Sequence, residues 1–311
     1  MQTYDNSKVV IVGAGFVGSS AAYATMIQGI CSELVLIDVN KEKALGEAMD
    51  LTHGLSFVDP ICVHAGDYDD CKDADVVVIT AGLAQKPGQT RLDLAVANAK
   101  IVGGIVEEII KRTKEAVILV VSNPVDVMTY VAIQKAGYPA GQVFGSGTAL
   151  DSSRFRFLLS EMFGVSPRSV HASILGEHGD SELMCLSHAN IAGEPLTNMP
   201  GYNAKKVEEI YSKTKNAAYE IIQKKGATYY AIGLGIADIV RAVLYNEKLV
   251  MPLSVLLQGE YDLHDVCISV PALVGSGGVQ KIVPIQLASD ELEKLQASAT
   301  QLKTVIASLG K

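Results

Sequence analysis

Two kinds of cysteine pattern are missing from this 311-residue chain. Its five cysteines, at 31, 62, 71, 185 and 267, are odd in number and nowhere spaced C-x-x-C. They read as reduced, partly buried thiols of a cytosolic protein, which sets aside a disulfide frame and a zinc site. A basic excess is missing too: the formal net charge is −8, which argues against a general nucleic-acid surface and leaves room only for a local basic pocket. No apolar run reaches membrane-spanning length, because glycines and charges interrupt each one. Residues 1–8 are polar and lack a secretory apolar segment. A cytoplasmic protein without a membrane partner is the expectation. His53, His64, His188 and His264 have no metal-ligand spacing, so no catalytic metal is expected.

What the chain does have is ample core material, 49% hydrophobic against 19% charged residues, enough for two domains or one large α/β unit. The first half alternates short Val/Ile-rich runs with helical stretches. Residues 8–12, 34–38, 74–80 and 116–122 are apolar on both faces, with helices expected from Ser19 and Ala44. Strands of that kind separated by helices imply a doubly wound parallel sheet covered on both sides. After about Gly147 the rhythm changes: a helix over 152–163, strands at 169–175 and 183–191, a long helix from about Asn203, and an amphipathic surface helix over 289–309. The expected organisation is α/β, a Rossmann domain over 1–147 followed by a mixed α/β substrate domain over 148–311. No internal repeat or low-complexity tract interrupts it.

The first strand runs into Gly13-Ala14-Gly15-Phe16-Val17-Gly18. In this G-x-G-x-x-G loop Gly13 permits the tight turn, Gly15 lets the backbone approach a pyrophosphate, and Gly18 lets helix and strand pack closely. Such a loop alone is weak. Here it follows a strand, opens a helix and is answered by Asp38 at the end of the next strand. An acid there accepts both ribose hydroxyls and repels a 2′-phosphate, so the cofactor expected is NAD.

A nicotinamide cofactor implies hydride transfer, and an alkoxide left by hydride attack needs a proton and positive charge nearby. Gly176-Glu177-His178-Gly179-Asp180 sets a histidine between glycines after the apolar run 173–175. His178 is the natural proton donor. Asp151 is the best candidate to orient its ring and favour the imidazolium. Arg154, one helical turn further on, is placed to hold a substrate carboxylate with its planar fork.

These segments together carry a resemblance. Residues 12–18, 81–91 (Ala-Gly-Leu-Ala-Gln-Lys-Pro-Gly-Gln-Thr-Arg), 121–126 (Val-Ser-Asn-Pro-Val-Asp), 145–154, 176–182 and 226–230 (Gly-Ala-Thr-Tyr-Tyr) match, in order, the lactate/malate dehydrogenase family, and within it the L-lactate branch of the bacterial, fructose 1,6-bisphosphate-regulated type. The resemblance spans essentially the whole chain. It implies that 82–93 closes over the substrate as a lid, bringing Arg91 to polarise the carbonyl. It implies that Asn123 contacts the substrate oxygen, Arg154 the carboxylate, and His178 with Asp151 the proton. Thr228 would line the pocket, with Ile232 under the nicotinamide and Ser146 near its amide. Phe16, Val17, Lys43, Tyr68, Gly82, Leu83, Val121 and Ser122 match positions that border the dinucleotide.

Within the family, Gln85 stands where the malate enzymes carry an arginine. A neutral glutamine would leave the second carboxylate of oxaloacetate unpaired, at a cost of roughly 3–5 kcal/mol, so pyruvate/L-lactate is expected. Leu83-Ala84, where many relatives have Ala-Asn, is a local departure that removes no catalytic group. Arg156 and His171 match the positions that bind fructose 1,6-bisphosphate at a subunit interface, and a symmetric homotetramer is the family's assembly. The short segment before Lys8 lacks the long arm of vertebrate relatives. The alternatives are a malate or branched 2-hydroxy acid dehydrogenase, and a non-catalytic structural relative.

Overall fold

A computed structural model describes residues 7–83 and 91–309, with Arg91 described in its backbone only. The first half runs β1 (Lys8–Val12), α1 (Phe16–Ile27), β2 (Glu33–Ile37), α2 (Lys41–His53), β3 (Cys62–Ala65), β4 (Val76–Ile79), α3 (Arg91–Ile110), β5 (Val117–Val120), α4 (Val125–Ala136) and β6 (Val143–Gly145). The second half continues with α5 (Ala149–Phe163), β7 (Val170–Leu175), β8 (Leu183–Ile191), β9 (Glu194–Pro195), α6 (Ala204–Lys225), α7 (Tyr230–Leu244), β10 (Leu249–Gln258), β11 (His264–Gly275), β12 (Gly278–Ile282) and α8 (Ser289–Ser308).

The six strands of the first half lie in the order β6-β5-β4-β1-β2-β3, all parallel. This is the doubly wound arrangement that the Val/Ile runs predict, and β1, β4 and β5 are buried along their whole length because helices cover both faces. Strand order reverses between β1 and β4, with β2 and β3 added on one side and β5 and β6 on the other, so their carboxyl ends open a crevice where ligands bind in such sheets.

The sheet does not end with the first half. β10 pairs antiparallel with β6, and β11 and β12 extend it to nine strands. A second sheet, β7-β8-β9, packs with α5 and α6 around Phe155, Leu159, Ile174 and Val207. The sheets are joined by reciprocal backbone hydrogen bonds between Gly176 and Ser269, 3.0 Å each way. That junction sits two residues before His178, so the loop that carries the histidine hangs from the large sheet.

Local differences from the sequence expectations have physical causes. α1 starts at Phe16, three residues early, because the glycine loop passes directly into helical geometry. α5 starts at Ala149, where the Thr148 hydroxyl donates to Ile174 O (2.6 Å) and its N–H to Ser269 Oγ (3.1 Å). Asp151 and Arg154 therefore share the first turns of one helix. α8 is amphipathic as expected, with Leu295, Ala299 and Leu302 buried in the main core. Among the described residues, no helix is long and apolar enough to cross a membrane.

Candidate active site

The glycine loop owes its shape to sterics. Gly13 has φ +114°, and a Cβ there would lie 2.6 Å from Ala81 N. At Gly18 a Cβ would fall 1.8 Å from Gly13 O, so loop and helix can approach only without a side chain. Gly15 differs, since a Cβ there meets nothing within 4 Å. The protein's own packing does not require that glycine, and the open space leaves room for the close approach of a ligand. α1 also begins without a side-chain cap, leaving its first amides to an anion.

Asp38 stands just past β2. Its Oδ2 accepts the Ala14 N–H (2.7 Å) and its Oδ1 the Asn40 N–H (2.9 Å), which ties the glycine loop to the neighbouring strand end. A carboxylate has about four acceptor positions, so two remain for ribose hydroxyls. These residues fit a dinucleotide.

A cleft of about 440 Å³ opens over this crevice. Val17, Gly82, Leu83, Val121, Ser122 and Asn123 line it from the first half of the chain, and Ser146, Arg154, His178, Thr228 and Ile232 from its far wall. Eleven residues singled out in sequence thus face one space. Phe16, Lys43 and Tyr68 do not line it: Phe16 is exposed and stacks on Tyr229, Lys43 is exposed on α2, and Tyr68 is half-buried in a short 3-10 turn after β3. Gln85 and the Arg91 side chain lie outside the described residues. A second cavity of about 440 Å³, between Ile133, Val143, Val255 and Ile282, contains none of the candidate residues.

At the cleft's floor, Asp151 is 3% exposed and bridges two cations. His178 Nδ1 lies 2.6 Å from its Oδ2, and Arg154 Nη1 donates to its Oδ1 at 2.6 Å. A carboxylate can only accept, so Nδ1 carries a proton and Nε2 is left for a substrate. Burial alone would push the Asp151 carboxyl up, and His178 and Arg154 more than reverse this, holding it below the ordinary range. Burial likewise works against the His178 cation, yet Asp151, with smaller contributions from Asp126 and Glu182, raises it to about 9. The arrangement keeps an imidazolium charged at neutral pH beside a guanidinium with N–H groups to spare.

Three supporting residues escaped the sequence reading. Asp126, buried on α4, accepts the His178 backbone N–H (2.8 Å). Burial lifts its carboxyl to about 6, against the opposing pull of the Ser254 hydroxyl and that N–H. Asn98, on α3, accepts the Leu83 N–H (2.8 Å) and donates to Asn123 O (2.7 Å), fixing two cleft-lining segments. Glu182 closes the His178 loop. Asp126 and Glu182 stand inside the matched segments 121–126 and 176–182, and a polar residue at a buried helix position was the available signal for Asn98.

Arg156 and His171 occupy adjacent elements away from the cleft. The half-buried Arg156 donates from Nε to Ala172 O (2.7 Å), and His171 is exposed on β7 next to that residue. Among the described residues Glu33, His64 and Asp70 also converge, but Lys8 Nζ sits 3.3 Å from Glu33 and 3.6 Å from Asp70 and answers their charge.

A dinucleotide loop and a charged histidine across one cleft share one chemistry, hydride transfer coupled to a proton, and the fold that joins them is that of an NAD-dependent dehydrogenase. Comparison with known proteins gives the family. The profile of the lactate/malate dehydrogenase NAD binding domain matches residues 7–145, and that of the family's alpha/beta C-terminal domain residues 148–310. The chain belongs to the lactate/malate dehydrogenase family. It is 48% identical over 307 residues to an L-lactate dehydrogenase of Acetivibrio thermocellus, covering 97% of each chain. It is 49% identical to an L-lactate dehydrogenase of a Synechococcus strain, covering 96% of this chain and 98% of that one. The crystal structure of a lactate dehydrogenase from a Medee basin deep-sea metagenome library superposes with a TM-score of 0.96 at 46% identity, covering 98% of this chain and 99% of that one.

Proposed function

We propose that this chain is an L-lactate dehydrogenase, interconverting pyruvate and L-lactate with NADH and NAD. The observation that carries the reading is Asp151 holding His178 and Arg154 at 2.6 Å each on the floor of the cleft. The cofactor, when bound, supplies or accepts the hydride at the substrate's C2. As the C2 carbonyl becomes an alkoxide, the proton on His178 Nε2 moves to that oxygen and leaves the ring neutral; lactate oxidation runs the same transfer backwards. Asp151 keeps the imidazole in the required tautomer and charged until the proton leaves. Arg154 grips the substrate carboxylate, Asn123 contacts the C2 oxygen, and Thr228 lines the pocket. Arg91 polarises the carbonyl. The names of the relatives at 48–49% identity support the same activity.

Preference for pyruvate over oxaloacetate rests on Gln85, which offers no charge to a second carboxylate. Activation by fructose 1,6-bisphosphate rests on Arg156 and His171 as an anion site completed by another subunit in a cytoplasmic homotetramer. NADH oxidation by the purified protein, with pyruvate or oxaloacetate and with or without the bisphosphate, tests each part. Pyruvate should turn over fast, more steeply with the bisphosphate, and Gln85→Arg should move preference toward oxaloacetate. Preference of the parent for oxaloacetate would overturn the Gln85 argument, an unchanged curve the effector site, and no oxidation of either substrate the reaction itself.

A further inference from the structure

Glu182 is a buried acid that the proposed mechanism does not use. It ends the loop that begins at Gly176, four residues after His178 and directly before β8, and is 7% exposed. Its backbone is fixed on both sides: its N–H donates to Gly179 O (3.2 Å), and its carbonyl accepts the Tyr211 hydroxyl of α6 (2.5 Å). The side chain has no such support. Oε1 is buried and accepts no hydrogen bond among the described residues. The charged groups that act on it are Asp151 and Arg154 from α5, His178 from its own loop, and the half-buried Lys215 from α6.

We infer that Glu182 is a positioning residue for charge: its carboxyl stays neutral while it lacks a hydrogen-bond donor, and its ionisation strengthens the hold of His178 on its proton. An unsolvated carboxylate without a donor is strongly disfavoured, and Asp151 already places one negative charge beside it. Burial first, and Asp151 second, lift Glu182 to about 8, with His178, Lys215 and Arg154 opposing. The coupling runs both ways, since Glu182 is among the groups that raise His178. Above about pH 8 the ionised Glu182 helps keep the imidazolium charged, and so extends carbonyl reduction to alkaline pH. Asp126 contributes in the same direction from α4.

The inference rests on the proton role given to His178, so its test needs a readout besides turnover. Glu182→Gln keeps the shape and removes the charge; Glu182→Asp keeps the charge. In the full-length protein the His178 ring is followed by NMR across pH 6–10, its signal assigned by its loss in His178→Gln. The midpoint should fall by about half a unit to one unit in Glu182→Gln and return toward the parent in Glu182→Asp. The alkaline limb of kcat/KM for pyruvate should move with it, while turnover at pH 6 stays within about twofold, because Glu182 is neutral there in the parent. An unmoved midpoint in Glu182→Gln overturns the inference. So does an equal loss of turnover at every pH, which marks a structural role. A parent that oxidises no NADH with pyruvate overturns the proposed reaction instead, and the NMR midpoint then decides the coupling alone.

Discussion

Replacing Asp151 by asparagine removes one charge and almost no volume, at the position that holds His178 and Arg154 together. In the parent, His178 titrates at about 9 against an ordinary 6.5 although burial works against its cation. A proton bound that much more tightly is worth about 3 kcal/mol. Asp151 supplies the largest favourable part, so in Asp151→Asn burial is nearly unopposed and His178 falls to about 6.5 or below. In the proposed mechanism, reduction of pyruvate uses the protonated ring. At pH 7.5 almost every parent molecule carries that proton, against about one in ten of the variant at 6.5 and one in a hundred at 5.5. The expected loss in kcat/KM for pyruvate is therefore about 10- to 100-fold at pH 7.5, shrinking as pH approaches 6. In the same mechanism lactate oxidation uses the neutral ring, so its acid limb should move down in pH by the same interval. Initial rates in both directions across pH 5–10, with NADH affinity followed by fluorescence, measure this. An alkaline limb in the variant where the parent has it would refute the assignment, because another group would then be holding the proton. A uniform loss at every pH would mean that Asp151 acts only by orienting the ring.

Two glycines of the same loop should fail in different ways. Gly18→Ala drives a Cβ to 1.8 Å from Gly13 O and should cost about 3 kcal/mol of folding stability. Gly15→Ala meets no protein atom and should change stability by less than about 1 kcal/mol while weakening NADH binding. Urea unfolding and NADH titration of both variants separate the cases, and equal destabilisation would refute the ligand role of Gly15. A pH dependence of stability follows from the cluster around His178. Asp126 at about 6, Glu182 at about 8 and His178 at about 9 all hold protons more tightly folded than unfolded. Each therefore contributes stability that is lost as pH rises from its ordinary value through its folded one. Urea unfolding at fixed protein concentration should show stability falling by about 3 kcal/mol or more between pH 5 and 9. A rise over that range would contradict the burial of these groups.

The parts of the fold legible in sequence were those whose cause is local. β1, β4 and β5 are runs of Val and Ile buried on both faces, and composition alone announces such strands. The extension of the sheet by β10–β12 was not legible, because a strand's partner across more than a hundred residues leaves no periodicity to read. The same division runs through the site. Gly13, Gly18, Asp38 and His178 stand in short motifs that can be read within a few residues of sequence, and of these His178 lines the cleft. Asn98 and Asp126 act through burial and hydrogen bonds to distant backbone, which no window of sequence contains.

Asp151 and Glu182 show why the limit is physical. Both are carboxyls buried beside His178, and both are pushed upward by burial. Asp151 accepts from a histidine and an arginine at 2.6 Å and ends below its ordinary range. Glu182 has no donor for Oε1 among the described residues and ends near 8. A single hydrogen-bonding shell thus makes one acid a permanent anion and leaves the other to ionise only in alkali. Residue type sets what a carboxyl can do, and the donors around it, supplied to Asp151 from α5 and the His178 loop, decide which protonation state it holds at pH 7.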